Sequence, residues 1–358
     1  MKEIVKPLLA WYQENARVLP WRQEPSPYHV WLSEIMLQQT RVEAVKEYYR
    51  RFLEHLPTVQ DLAEVEEEEL LKLWQGLGYY NRVRNLQKAA QIICTQYGGI
   101  FPTEYHAWLA LPGIGEYTAG AVVSIAFGKK EPAVDGNVYR IYTRLRTDGT
   151  DITKTELKKR VRQELLEIMP EDPGGFNQAL MDLGAMVCLP NGTPLCDQCP
   201  LQTYCKAHQA GTELSYPVKP SGKPRRIEKR TVFLLEYQGR YLLQKRPDRG
   251  LLAGLWEFPG QEGHLTLEQV MDGLQDLGVS ADGHTSDITL IGKAKHIFSH
   301  VEWHMLGYEI HLSAISDKLR DHGVFCTLSE LRDTYSIPSA FAVYLKYLFS
   351  DPEKNIEK

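Results

Sequence analysis

Apolar residues recur every three to four positions through most of residues 3–209, and that spacing predicts an almost wholly helical region. Ser26 followed by Pro27 reads as a cap and a first-turn proline, opening a helix that runs to about Gln38. Thr58 caps another. Further helices are expected at 66–75, stopping at Gly76, and at 82–97, stopping at Gly98-Gly99. Four more are expected at 116–127, 137–146, 154–168 and 176–188. This half contains no convincing alternating strand. After Ser215 the period changes. Strands are expected at 231–237 and 240–245, joined by a Gln238-Gly239 hairpin turn, and near 288–293 and 303–311. Helices are expected at 267–277 and 340–349. The pattern predicts a multi-domain chain, all-α first and a smaller α+β domain after it.

A length of 358 residues suits two cores, and 43% apolar residues is ordinary for a globular protein. The sequence has no run of about eighteen apolar residues, so no membrane helix is expected. The start, Met1-Lys2-Glu3-Ile4-Val5-Lys6, lacks an apolar signal core, and a cytosolic location is expected. The net charge of −5 conceals a division: −4 over 1–215, +5 over 216–230 and −6 over the remainder. Neither large piece is a bulk polyanion binder, so any nucleic-acid contact rests on local patches. The acidic run Glu64–Glu69 is expected on a solvated face. The proline-rich, basic stretch 216–229 reads as a linker between a region 1–215 and a domain 230–358.

Several groups of residues carry candidate chemistry. Leu111-Pro112-Gly113-Ile114-Gly115 forms a tight turn before a helix. Its outward N–H groups and the helix dipole suit a phosphate, with Gly113 and Gly115 at the contact. On the helix after Ser26, Val30, Trp31, Glu34, Leu37 and Gln38 share one face. A carboxylate in that company is desolvated and becomes a proton donor near neutrality. Asp135 precedes Gly136-Asn137 at a helix start, an ordinary cap taken alone. Together with Glu34 and the phosphate turn it supplies the second carboxylate that glycosidic-bond chemistry needs. Gln38-Gln39-Thr40-Arg41 and Gly76-Leu77-Gly78-Tyr79-Tyr80 offer amides and aromatics suited to base edges and stacks. Four of the six cysteines follow Cys188-x7-Cys196-x2-Cys199-x5-Cys205, which suits a tetrahedral zinc or a four-iron cluster; the spacing does not choose between them.

These residues, with Leu19-Pro20-Trp21-Arg22, the stretch 31–40, Asp135–Val138 and 181–188, occur in the order found in one family. The chain resembles the MutY-type adenine DNA glycosylases of the helix-hairpin-helix superfamily, which includes endonuclease III. The match is strong from about Trp11 to Cys205 and looser beyond. The resemblance implies a six-helix barrel over about 21–127. It implies an iron–sulfur module formed by about 1–20 and 128–215, with a [4Fe–4S] cluster on Cys188, Cys196, Cys199 and Cys205. It implies a base-excision repair enzyme acting on double-stranded DNA that holds adenine opposite 8-oxoguanine or guanine, monomeric and associated with the nucleoid. The target adenine is flipped into a cleft. Glu34 then protonates the base at N7, and Asp135 stabilises the C1′ cation, with Tyr117 and Asn137 in support. Trp21, Arg22, Gln178 and Met181 line the adenine pocket, and Gln39, Leu77 and Tyr79 enter the duplex. Superfamily members that also cut the strand carry a lysine where this chain has Tyr117, so base removal without efficient strand cleavage is expected.

The C-terminal domain resembles the Nudix-like (MutT-like) domain of the same family, in which Phe298-Ser299-His300 would reach the 8-oxoguanine. Residues 267–279 hold Glu268, Asp272 and Asp276 but lack the glutamate-dense metal helix of a diphosphate hydrolase, so the domain reads as a recognition module. The first cysteine loop, 189–195, holds seven residues where the family's holds six, and its turn-rich composition absorbs the extra one. The alternatives are an endonuclease III-like glycosylase/lyase, a non-catalytic iron–sulfur DNA-binding or electron-transfer protein, and a Nudix phosphohydrolase.

Overall fold

In a computed structural model of the chain, the helix expected after Ser26 spans Pro27–Leu37, and the Ser26 hydroxyl accepts the His29 N–H at 3.2 Å. The structure describes residues 1–220, 222, 224–279 and 285–350. Ser221 and Lys223 of the linker, and 280–284 and 351–358 of the C-terminal domain, lie outside the described residues. Two compact units emerge: 1–65 with 81–222, and 66–80 with 223–350 among the described residues.

The first unit is helical throughout. Its helix at Val59–Glu64 starts directly after the expected cap, and those at Asn81–Tyr97, Glu116–Phe127, Gly136–Arg146, Thr155–Ile168 and Pro173–Met186 lie within three residues of the starts and ends expected for them. Thr58 and Asp61 form a reciprocal capping box at the first of these. Five α-helices among the described residues of this unit were not delimited from the sequence: Val5–Asn15, Pro20–Gln23, Val42–His55, Tyr105–Leu109 and Lys206–Gln209. Val42–His55 buries only Val45, Tyr49 and Phe52, a stripe spaced i, i+4, i+7, and covers its outer face with Glu43–Lys46 and Glu47–Arg50–Glu54 ion pairs.

Two apolar centres organise this unit. One is aromatic: Trp31 and Trp108 meet edge-on with ring centres 5.6 Å apart, and Phe101 stacks on Trp108 at 6.0 Å. The other joins Ile4 and Leu8, from the start of the chain, to Val138, Ile141 and Leu145, to Leu157, Val161 and Leu165, and to Phe176, Leu180 and Leu183. The N-terminal helix is thereby packed against the helices that lead to the cysteines.

The second unit is built on a mixed sheet of strands β1 (Arg226–Tyr237), β2 (Arg240–Lys245), β3 (Trp256–Glu257), β4 (Gly260–Glu262), β5 (Thr285–Ile297), β6 (Val301–Leu312) and β7 (Val324–Cys326). Its spatial order is β3-β2-β1-β6-β5, with β4 on β1 and β7 on β2. Strands β1 and β6 run parallel in unbroken register from Arg226↔Val301 to Glu236↔His311. The four longer strands stand where expected, each at least as long as predicted, and β1 begins four residues inside the stretch read as linker. Strands β3, β4 and β7, at two or three residues each, are too short to show a period.

Because β1 is central, its side chains are buried on both faces. Val232 and Leu234 enter one core with Tyr344 and Leu348 of the helix Ala342–Ser350. Phe233 and Leu235 enter another with Val270 and Leu274 of the helix Leu267–Asp276. Gly307 permits the first contact: a Cβ there would stand 2.2 Å from the Tyr344 ring. At the hairpin, Gln238 and Gly239 both take positive φ, the two-residue turn that matches strand twist. The segment 66–80, with its helix Glu67–Leu73, belongs to this unit rather than to the helical one. Lys72 Nζ donates to the carbonyls of Arg332 and Tyr335, and Gln75 Nε2 to that of Ile337 at 2.9 Å. No helix among the described residues is long and apolar enough to cross a membrane.

Candidate active site

Glu34 projects from the third turn of Pro27–Leu37, a helix buried from Tyr28 through Met36, and only 6% of its surface is exposed. Tyr117, in the first turn of Glu116–Phe127, donates its phenolic O–H to Glu34 Oε2 at 2.7 Å. The same hydroxyl lies 3.8 Å from Met181 Sδ. Burial pushes the Glu34 carboxyl up to about 7; the Tyr117 bond and the Arg22 charge oppose this, and the Asp135 charge reinforces it. A carboxyl poised there keeps a protonated fraction near neutral pH and can release that proton to a base.

Asp135 caps Gly136–Arg146. Its Oδ1 accepts the N–H groups of Asn137 and Val138, each at 2.9 Å, and its Oδ2 accepts Asn137 Nδ2 at 2.7 Å. Burial raises this carboxyl, and those three bonds pull the other way. Cap and site are therefore the same group: the bonds that start the helix also fix the carboxylate. Asn137 in turn accepts from Arg140 Nη2 at 2.8 Å, and Arg140 Nε donates to the Cys188 carbonyl at 2.8 Å.

The hairpin places Gly113 at φ +75°, where an added Cβ would meet Asn85 Cβ at 2.7 Å. Gly115 begins the helix Glu116–Phe127 without a side-chain cap, which leaves its first N–H groups unclaimed by side chains.

The remaining expected residues fall out unevenly. Trp21 is buried against Tyr49 with ring centres 5.4 Å apart. Met181 packs beside Ala121 and Ala133 with Tyr117 against them. Gln178, on the same helix Pro173–Met186, turns its amide to its own Gly174 carbonyl at 3.4 Å. The Arg22 guanidinium is engaged by Asp182 through two bonds of 2.7 and 2.9 Å. Gln39 is exposed and takes a positive φ, as does Tyr79, which is 46% exposed; Leu77 is buried at 7%. In the second unit Ser299 and His300 are exposed, while Phe298 is half-buried with its ring edge-on to Trp303 at 4.9 Å.

Sequence reasoning missed Asp182, whose side chain is completely buried and is bound by both Arg17 and Arg22. Burial alone would raise its carboxyl; the bonds from Arg22 and Arg17 outweigh that and hold it below the usual value. A lone acid in the apolar run Met181-Asp182-Leu183 was the available signal. Arg140 and Arg144 were missed as well. Both are buried, in a helix that otherwise reads as a surface amphipath.

Cys188, Cys196, Cys199 and Cys205 line one small cavity with Arg144, His208 and Glu213, and none is disulfide-bonded. Arg144 Nη1 lies 3.2 Å from Cys188 Sγ and also donates to the Leu189 carbonyl. The loop 189–195 closes on itself through Leu195 N–H to the Val187 carbonyl at 2.9 Å. Burial pushes Cys196 up to about 11, with Glu213 adding, and Cys199 up to about 12, with the neighbouring thiols adding. Four thiols lining one cavity, with a guanidinium against one of them, suit the wider span of an iron–sulfur cluster, whose irons would hold them as thiolates. Their sulfurs do not gather as closely as one tetrahedral zinc requires; among the described residues the group within 4.8 Å of one another is Cys196, His208 and Glu213.

The hairpin, the buried acid and the capped aspartate on an all-helical frame define a base-excision DNA glycosylase of the helix-hairpin-helix class. Residues 32–170 match the HhH-GPD superfamily of base excision DNA repair proteins, and 231–347 match the NUDIX domain. The adenine DNA glycosylase of Rattus norvegicus is 37% identical over 370 residues, covering 86% of this chain and 70% of the rat protein. Among solved structures, a thermostable thymine-DNA glycosylase is 29% identical with a TM-score of 0.54, covering 58% of this chain and 96% of that one. Endonuclease III in a trapped covalent intermediate with DNA is 26% identical with a TM-score of 0.50, covering 59% and 98%. The chain belongs to the adenine DNA glycosylases, enzymes of base excision repair.

Proposed function

We propose that this enzyme hydrolyses the N-glycosidic bond of adenine paired with 8-oxoguanine or guanine in duplex DNA and leaves the strand uncut. The observation that carries the reading is the buried Glu34–Tyr117 pair. Glu34, raised so that a protonated fraction persists near neutral pH, gives its proton to adenine N7, so that the base departs neutral. Asp135, fixed by three donors, faces the positive charge that develops at C1′ until water adds. Trp21 and Met181 wall the adenine pocket. Arg22, held by Asp182, serves it by its charge near Glu34. Gly113 and Gly115 grip a phosphate through backbone N–H groups, and Gln39, Leu77 and Tyr79 meet the duplex at the opposite base. Ser299 and His300 read 8-oxoguanine. Cys188, Cys196, Cys199 and Cys205 would hold a [4Fe–4S] cluster, which supplies iron–thiolate bonds that cross-link the loop.

The absence of strand cleavage follows from Tyr117. A phenol forms no Schiff base, so no amine at this turn captures the C1′ carbon. Single-turnover excision from A:8-oxoG, A:G and A:T duplexes tests the substrate, with rapid removal expected from the first two and little from the third. Borohydride in the same reactions tests the chemistry, and strong covalent capture of the protein would overturn it.

A further inference from the structure

The basic stretch that leads into β1 grips the turn Phe298–Val301. The turn closes on itself through Phe298 N–H to the Val301 carbonyl at 2.9 Å. Two of its other carbonyls are taken from outside. Arg225 Nε donates to the Phe298 carbonyl at 3.1 Å, and the Arg226 N–H donates to the His300 carbonyl at 3.2 Å. Glu302 steadies Arg225 from 3.9 Å while also pairing with Lys295 at 2.7 Å. Below the turn, Phe298 rests on Trp303, whose indole N–H donates to Glu228 at 2.9 Å. Among the described residues, the backbone bonds that shape Ser299 and His300 come from the turn itself and from residues 225 and 226.

We propose that Arg225 is a positioning residue for the turn, so that discrimination of the opposite base depends on the chain that enters β1. This rests on the reading of Ser299 and His300 as the contacts to 8-oxoguanine. The guanidinium fixes the Phe298 carbonyl and hence the direction in which the next two side chains leave the sheet. A bond from a charged donor to a half-exposed carbonyl holds a turn firmly enough to change a specificity ratio. The competing use of an exposed arginine is a direct phosphate contact, which would strengthen binding to every duplex alike.

Equilibrium binding of the full-length protein separates the two. The probes are duplexes with uncleavable 2′-fluoro-2′-deoxyadenosine opposite 8-oxoguanine or guanine, titrated at several salt concentrations. In Arg225→Ala the preference for 8-oxoguanine over guanine falls about five- to tenfold, with guanine-duplex affinity and salt slope unchanged. Arg225→Lys, which keeps the charge but not the planar Nε–H, loses the preference too. Uniform weakening of both duplexes with a salt slope shallower by about one overturns the proposal in favour of a phosphate contact. A double variant Ser299→Ala/His300→Ala separates the levels. If it loses the preference and Arg225→Ala keeps it, the positioning role fails alone. If it keeps the preference, the reading of the turn fails and the positioning role with it.

Discussion

Tyr117 donates its phenolic proton to Glu34 Oε2 at 2.7 Å, joining the residue that follows the hairpin to the buried acid. The bond lowers the Glu34 carboxyl against the burial that raises it. Tyr117→Phe removes the opposing influence, so the Glu34 carboxyl rises further. The alkaline limb of the excision-rate profile is expected to move up by about one pH unit, since one such bond is worth roughly 1–2 kcal/mol. Single-turnover rates across pH 5–9 measure the shift; an unmoved limb would separate the tyrosine from the acid.

In the parent, excision should fall as pH rises through about 7, where Glu34 loses its proton. Stability should follow the same group. The folded carboxyl sits above its ordinary value near 4.5, so the native state binds the extra proton between 4.5 and about 7, and stability falls across that window as pH rises. Glu34→Gln removes both effects. It slows excision by about 10²–10⁴-fold. At pH 8 it also stabilises the fold by roughly 3 kcal/mol relative to its standing at pH 4. Denaturant midpoints at the two pH values report this.

Asp135→Asn tests the separation of cap from chemistry. Asparagine keeps the Oδ1 cap but presents an amide nitrogen where Oδ2 accepts Asn137 Nδ2, so the melting temperature should fall by only a few degrees. It brings no charge to C1′, and excision should fall by about 10²–10³-fold. A variant that retains full excision would remove Asp135 from the reaction.

Asp182→Asn leaves Arg17 and Arg22, both half-buried, beside a neutral amide. A loss of about 3 kcal/mol or more is expected, because breaking one side of a buried pair strands the other charge. The parent's own share of this stability is present above the ordinary aspartate value of 3.8 and disappears as pH falls below the lowered one. Urea unfolding at pH 7 and pH 3 should show the difference between parent and variant narrowing at the lower pH.

Cys199→Ser should release iron and lower the stability of the helical unit. The second unit has its own two cores and should unfold at an unchanged midpoint. Iron content, visible absorbance and calorimetry read the three outcomes separately. Loss of both transitions together would show that the units do not fold independently.

The helices of the first unit were legible because their caps and stops are chemical: Ser26, Thr58, Asp135 and the glycines after Tyr97 each do one local job. Helix Val42–His55 escaped because its stripe of three buried residues is thin against eleven exposed or half-buried neighbours, Val42, Tyr48 and Leu53 among them. The long strands announced themselves by β-branched and aromatic residues, whereas three strands of two or three residues had no period to announce. Glu34 was legible as a carboxylate among apolar neighbours. Arg22 was named only through the family resemblance, and its engagement by Asp182, 160 positions away, was not legible.

By itself the sequence determined local properties: which segments coil or extend, where each begins, which carboxylate would lack water and which thiols stand close along the chain. Those follow from side chains acting on their own backbone within a few residues. Tertiary structure decided the pairings. It set Tyr117 on Glu34 across 83 positions, closed Asp182 on two arginines, and laid Arg225 on the turn at Phe298. Such contacts depend on packing between segments far apart in the chain, and no periodicity records them. The turn at Leu111–Gly115 needs both levels: glycine at 113 sets the bend locally, and Asn85, brought up from another helix, is what forbids a side chain there.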